Sequence, residues 1–129
     1  MKKLFTLFVV MFAAAAFMAN AAPKNEVKIA VAATGKTVAA TVGDKIAKSS
    51  YFLICDGSGK LIEALDNPYK DSESAGPSTV NFLSQKGVKV VIAESFGPRI
   101  TGLMKSKGMD YFEFHGTAED AVKAFLKQK

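Results

Sequence analysis

Cysteine and histidine are nearly absent from this chain of 129 residues, which has one of each, Cys55 and His115, and tryptophan is missing altogether. One cysteine excludes an internal disulfide framework, so the hydrophobic core alone must hold the fold. Stable metal sites use three or four nitrogen or sulfur ligands, and no such set surrounds Cys55 in the sequence. We interpret Cys55 as a buried strand residue, the usual place of a free cysteine, rather than the edge of a cluster site. His115 is interpreted as a surface or helix-entry residue, and as a ligand it would need partners from elsewhere in the fold.

Compositional extremes are missing as well. The chain has 10 glycines and 4 prolines, with 49% hydrophobic and 22% charged residues, which excludes collagen-like, low-complexity and disordered chains and fits one globular domain. The formal net charge is +5, but the lysines are scattered along the chain. Since phosphate binding needs clustered basic residues with stacking aromatics nearby, we expect no nucleic acid partner.

Patterns for catalysis are equally scarce. The first predicted strand carries no carboxylate in residues 27–33, which excludes the two-metal chemistry of nucleases from that strand. Neither does the sequence contain the G-x-S-x-G pattern that presents a nucleophilic serine on a strand-to-helix turn. We therefore expect a binding protein rather than an enzyme.

A long apolar run is present at the N-terminus. Lys2 and Lys3 precede an uncharged stretch over residues 4–18, and Ala19-Asn20-Ala21 follows it. This order is typical of a secretory signal, so we predict a signal peptide over residues 1–21. The predicted mature domain covers residues 22–129 and is periplasmic or secreted. The alternative is an uncleaved signal anchor, but 15 uncharged residues fall short of the roughly 20 that cross a bilayer. Contact with a membrane is expected only through this segment during export.

Hydrophobic periodicity predicts an α/β domain in the order β-β-β-α-β-α-β-α, with a loop and a helical turn between the first two strands. The predicted strands are residues 26–33, 51–56, 60–65, 88–93 and 109–114, and the predicted helices begin at Ser78, at Pro98 and after Thr117. Gly57-Ser58-Gly59 indicates a hairpin, and two crossovers then produce a mixed five-stranded sheet with helices on its faces. The nearly continuous apolar run over 88–93 is predicted to be the sheet centre.

The turn Gly97-Pro98-Arg99 is the main candidate binding site. It joins the predicted central strand to a helix N-terminus, where open N–H groups and the helix dipole favour an anion. Arg99 can add a bidentate donor. The polar loop over residues 69–78 is placed to close over this crevice, since ligands of open α/β sheets bind beyond the carboxyl ends of strands. The simpler alternative is a strand-to-helix turn with an exposed arginine.

Several segments together resemble the dinitrogenase iron-molybdenum cofactor biosynthesis family. They are KIAVAATG at 28–35, YFLICD at 51–56, ALDNP at 64–68, AG at 75–76, KGVKVVIAESFGPR at 86–99 and GMDYFEFHGTAEDAVKAFL at 108–126. The resemblance spans nearly all of the predicted mature domain. It implies a ribonuclease H-like fold and a role in binding or carrying iron-sulfur or iron-molybdenum clusters.

The departures from that family concern its histidines. Members that hold a cluster usually carry a His-Phe-Gly segment shortly before the second strand, and here Lys45-Ile46-Ala47 stands in its place. A protonated lysine has no lone pair for iron. The resemblance therefore implies cofactor contacts at Lys45, Gly76 and Gly97-Pro98-Arg99 but assigns no metal ligand. Two functions stay open. One is an exported carrier of an anionic metal-sulfur cofactor or another anion, and the other is the same fold without its cluster site, acting as a protein-interaction or accessory module.

Overall fold

The computed structural model describes residues 27–128, so the predicted signal peptide at 1–21 and the predicted mature N-terminus at Ala22 lie outside the described residues. One five-stranded sheet and three α-helices make up this part of the chain. The strands are β1 (Lys28–Ala33), β2 (Tyr51–Cys55), β3 (Leu61–Asp66), β4 (Val88–Ala93) and β5 (Asp110–Glu113). The helices are α1 (Ala75–Gln85), α2 (Pro98–Ser106) and α3 (Ala118–Lys127), and a short 3-10 helix spans Ile46–Lys48.

The strand order across the sheet is β3-β2-β1-β4-β5. Strand β2 is antiparallel to β1 and β3, whereas β1, β4 and β5 run parallel. This is the ribonuclease H-like arrangement, and it confirms the mixed five-stranded sheet expected from the order of elements. The β2–β3 hairpin turns at Gly59, whose φ of 94° lies in the region that favours glycine.

The prediction that residues 88–93 form the sheet centre is wrong. Strand β1 is central, with β2 on one side and β4 on the other, and its residues from Ile29 to Ala33 are fully buried. Ala30 and Ala32 leave room for the helices that cover one face, while Ile29 and Val31 fill the other. Because alanine is only weakly apolar, the alternating pattern of β1 resembles that of a half-exposed strand.

Two apolar layers enclose the sheet. On one face, Ala118, Ala121, Val122 and Phe125 of α3 pack on β1, β2 and β4 in a cluster that includes Cys55. On the other face, residues of α1 and α2 form a second cluster, to which Met104 and Met109 contribute. Each large side chain so buried stabilises the fold by about 1.5–3 kcal/mol.

Helix α1 begins three residues earlier than predicted, at Ala75 rather than Ser78. Pro77 and Gly76 suggested a loop, but a proline is tolerated in the first turn of a helix because its missing N–H would have no intrahelical acceptor there. The helix ends before Gly87, whose φ of 85° is the left-handed conformation that glycine favours just after a helix. Between residues 27 and 128 no helix has the length and apolar character needed to cross a membrane.

Candidate functional site

The loops that carry the predicted site residues lie at one edge of the sheet, here called the carboxyl edge, where β1, β3, β4 and β5 end. Parallel pairing of β1, β4 and β5 brings their C-terminal residues Ala33, Ala93 and Glu113 to this edge. Helices α1 and α2 begin from the loops that follow β3 and β4. The carboxyl edge is therefore where an open α/β sheet of this kind binds ligands.

The loop between β4 and α2 is held on both sides by hydrogen bonds. The backbone N–H of Glu94 donates to the carbonyl of Gly43 at 2.9 Å, and that of Ser95 donates to the carbonyl of Asp44 at 2.9 Å. On the opposite side, the N–H of Phe96 donates to Oε2 of Glu113 at 3.2 Å. These bonds place the start of α2 in a defined position before any ligand arrives.

The N-terminus of α2 is open. Gly97 is the N-cap residue in an extended conformation and Pro98 is the first helical residue, with no side-chain cap and no acidic residue in the first turn. A Cβ placed on Gly97 would meet no atom within 4 Å, so solvent or a ligand has access to this end. The first-turn N–H groups of Arg99 and Ile100 have no intrahelical acceptor and can donate to an anion.

Helix α1 begins beside this end of α2. Its N-cap residue Ser74 also provides no side-chain cap, and its first turn contains no acidic residue. A Cβ on Gly76 would lie 2.6 Å from Cδ1 of Ile100, so the glycine permits close contact between the two helices. Gly76, predicted as a cofactor contact, thus has a packing role as well.

A cavity of about 460 Å³ lies between the starts of the two helices and is lined by Glu73, Gly76, Pro77, Arg99, Ile100 and Leu103. The predicted site residues Gly76 and Arg99 meet here, and Glu73 of the loop before α1 lines the same cavity. Within residues 27–128, Arg99 takes part in none of the ion pairs. Its guanidinium is therefore available to a ligand, while the carboxylate of Glu73 on the rim opposes a negative charge.

Lys45 and Pro98 face other cavities. Lys45 pairs with Ser95 through the backbone, but its ammonium lies 3.7 Å from the Asp44 carboxylate and lines a separate cavity of about 220 Å³ with Lys48. Pro98 lines a third cavity of about 540 Å³ on the side of α2 that faces β5 and α3. The predicted residues share the carboxyl edge but do not form a single cavity.

Donors for a bound metal are scarce in the structure. No group of three or more His, Cys, Asp or Glu side chains suited to a metal ion occurs in the part of the chain from 27 to 128. Cys55 is fully buried, as predicted, and burial, followed by the charge of Asp56, raises the pKa of its thiol to about 11. A cluster held by protein thiolates and imidazoles does not fit these residues, whereas an anion held by N–H groups and Arg99 does.

His115 has a partner that sequence reasoning missed. Its Nδ1 lies 3.3 Å from Oε2 of Glu94, with 77% of the histidine side chain and 26% of the glutamate side chain exposed. The two residues are 21 positions apart, and the parallel pairing of β4 with β5 brings them together. No local pattern signals such a contact.

The topology and the open helix ends define a ribonuclease H-like α/β domain with an accessible carboxyl edge. The family model described as dinitrogenase iron-molybdenum cofactor matches residues 27–128, and the chain belongs to this family. None of the curated proteins matches it.

Solved structures agree with this assignment. A Thermotoga protein that carries the name NifB is 30% identical, with a TM-score of 0.67 over 78% of this chain and 88% of that one. The apo form of the orange protein from Desulfovibrio gigas shares the fold at 24% identity, with a TM-score of 0.72 over 78% and 88% of the two chains. A dinitrogenase-type protein from Methanocaldococcus jannaschii shares it at 14% identity, with a TM-score of 0.56 over 81% and 90%.

Proposed function

We propose that this protein is a binding and carrier domain for an anionic metal-sulfur species of the iron-sulfur or iron-molybdenum type. The species is cargo, held without bonds from protein to metal, and the role is binding without catalysis. One observation carries the proposal: Arg99 lines a cavity at the uncapped start of α2 and takes part in none of the ion pairs among the described residues. Membership of the iron-molybdenum cofactor family supports the choice of cargo.

The donor chemistry of the cavity favours an anion with several acceptor atoms. Sulfido groups on a metal-sulfur anion carry negative charge and can accept hydrogen bonds from the first-turn N–H groups of α2 and from Arg99 at the same time. Direct ligation has little support, because Lys45 occupies the family's histidine position and Cys55 is buried as a protonated thiol. The cargo would therefore be retained by charge and hydrogen bonding.

Replacement of Arg99 by alanine tests this proposal directly. Binding of tetrathiomolybdate to the wild-type chain, followed by visible absorption, should weaken by about tenfold to a hundredfold in Arg99→Ala, since a charge-assisted hydrogen bond contributes roughly 1.5–3 kcal/mol. The free energy of unfolding should change by less than about 0.5 kcal/mol, as for other exposed side chains.

Two matched variants make the result specific to the cavity. Lys107→Ala removes the same charge just beyond the other end of α2, and it should leave the affinity for tetrathiomolybdate within about twofold of wild type. Glu73→Gln removes a carboxylate from the cavity rim and should tighten binding by about two- to threefold, because one like charge disappears. Equal losses in Arg99→Ala and Lys107→Ala would indicate general electrostatics instead of a site. Absence of wild-type binding would favour the alternative role as a protein-interaction module.

Export forms a second part of the proposal and rests on the sequence of residues 1–21 alone. Lys2-Lys3, the apolar stretch and Ala19-Asn20-Ala21 are together typical of a cleaved signal. Expression of the full chain in a bacterium should yield a form that begins at Ala22 outside the cytoplasm, as intact-mass measurement would show. A cytosolic species that keeps Met1 would contradict export.

A further inference from the structure

The cavity between the starts of α1 and α2 is lined by charges of both signs. Arg99 belongs to the first turn of α2, and Glu73 directly precedes the N-cap residue of α1. Both line the same cavity of about 460 Å³, and neither takes part in the ion pairs among residues 27–128. Because the carboxylate of Glu73 opposes an inorganic anion, the binding proposed above does not account for this residue.

Most of the remaining cavity wall is apolar. Ile100 and Leu103 are three residues apart and therefore share one face of α2. Pro77 lines the cavity from the side of α1. All three residues are half-buried, and those of α2 also pack against the core cluster on this face of the sheet. The two charged groups thus lie beside a wall that a compact inorganic anion would leave uncovered.

This combination is typical of a pocket for a small organic molecule. Such pockets measure roughly 300–1,000 Å³ and are lined mainly by apolar side chains, with a few polar groups that fix the orientation of the ligand. A guanidinium binds a carboxylate through two parallel hydrogen bonds, and a carboxylate accepts from an ammonium. A ligand that satisfies Arg99, Glu73 and the apolar wall together has a carboxylate, an ammonium and an apolar body.

We propose that this cavity binds a free α-amino acid with a large apolar side chain. The carboxylate of the ligand pairs with Arg99 and accepts from the open first-turn N–H groups of α2. Its ammonium donates to Glu73, and its side chain covers Pro77, Ile100 and Leu103. This site shares Arg99 with the metal-sulfur cargo but does not depend on that cargo, since the amino acid also needs Glu73 and the apolar wall.

Calorimetric titration with L-phenylalanine and two analogues tests these contacts separately. Hydrocinnamate lacks the ammonium group, and glycine lacks the apolar side chain. The wild-type chain should bind phenylalanine at least about tenfold more tightly than either analogue, because each analogue loses a charge-assisted hydrogen bond or an apolar contact. Absence of phenylalanine binding, or equal affinity for phenylalanine and either analogue, would overturn the proposal.

Two variants locate the site within the cavity. Glu73→Gln should weaken phenylalanine binding by at least about tenfold without weakening hydrocinnamate binding, whereas Arg99→Ala should weaken both by at least about tenfold. Lys107→Ala is the control, since it removes a charge just beyond the far end of α2, and it should bind phenylalanine as wild type does. Phenylalanine affinity that is unchanged in Glu73→Gln, or lowered equally with that for hydrocinnamate, would contradict the role of Glu73 and overturn the proposal.

Tetrathiomolybdate titration of the same preparations separates this inference from the proposed function. Glu73→Gln should bind tetrathiomolybdate more tightly and phenylalanine more weakly, because the two ligands present opposite charges to the carboxylate. Tetrathiomolybdate binding without phenylalanine binding would overturn the amino acid site alone. Phenylalanine binding without tetrathiomolybdate binding would support that site and contradict only the metal-sulfur cargo. A circular dichroism spectrum like that of wild type would show that each variant is folded.

Discussion

The N-termini of α2 and α3 differ in which groups accept hydrogen bonds from their first-turn N–H groups. At the start of α3, Oγ1 of Thr117 accepts a hydrogen bond from the N–H of Asp120 at 3.1 Å, and Glu119 and Asp120 place negative charge in the first turn. At the start of α2, Gly97 offers no side chain and the first turn has no acid. Helix α3 thus supplies its own anionic groups, whereas the first-turn N–H groups of α2 can donate to an external anion.

The difference separates binding from stability. Helix α3 packs on the sheet face that contains Cys55, so its capped N-terminus contributes to the stability of the fold. The starts of α1 and α2 form the walls of the Arg99 cavity, so their unsatisfied N–H groups are available for function. Changes at the two ends should therefore affect different measurements.

Gly97→Asp should close the open end and produce the largest effect. The new carboxylate would accept hydrogen bonds from the first-turn N–H groups of α2 and repel an anion, so affinity for tetrathiomolybdate should fall by about tenfold to a hundredfold. Stability should rise by a few tenths to about 1 kcal/mol, because the helix gains a cap and a favourable charge. The extended backbone of Gly97 suits any residue, and no atom lies within 4 Å of the new Cβ.

Titration by visible absorption and urea unfolding of the same preparation give the two quantities for Gly97→Asp. A lower affinity for tetrathiomolybdate together with a higher free energy of unfolding is the expected result. If affinity were retained, the anion would bind away from the start of α2.

Thr117→Ala should remove the cap of α3 and lower the free energy of unfolding by about 1 kcal/mol, without changing tetrathiomolybdate affinity. For a domain of this size, the melting temperature should fall by about 4–8 °C. Thr101→Ala is the matched control, because the Thr101 hydroxyl donates to the Pro98 carbonyl at 3.1 Å and caps no N–H group. A melting temperature equally lowered in both variants would argue against the capping role.

The smallest predicted effect is that of the Cys55 thiol on the free energy of unfolding, and it is absent at neutral pH. Burial raises the pKa of its thiol from 9.0 to about 11, so the unfolded chain loses the proton first as pH rises. Stability from this group is complete below about pH 9 and declines as the pH rises through 11. Urea unfolding at pH 7, 9 and 10 should show a steeper decline for wild type than for Cys55→Ala, and parallel curves would contradict the raised pKa.

Much of the fold was predictable because its signals are local. The apolar run of β4 was predicted with its observed bounds, residues 88–93, and the cap at Thr117 and the stop at Gly87 follow from the conformations that these residues favour. The start of α1 was missed because Gly76 and Pro77 favour loops by intrinsic preference, while packing against Ile100 favours the helix. Tertiary contact outweighed propensity at this point.

The candidate site was predictable only in part. The turn at Gly97-Pro98-Arg99 is a strand-to-helix signal and was found. The separation of Lys45 and Pro98 into different cavities depends on the directions of side chains on different elements. Sequence spacing alone does not contain those directions.

By itself, the sequence determined the family, the order of elements and the open start of α2, because each depends on residues that lie close together in the chain. Only the tertiary structure decided that β1 is the central strand, that Gly76 and Arg99 share a cavity, and that Glu94 meets His115. These features arise from strand pairing and helix packing between residues far apart in sequence. Their contacts depend on how the strands and helices are arranged in space, which no short stretch of residues specifies.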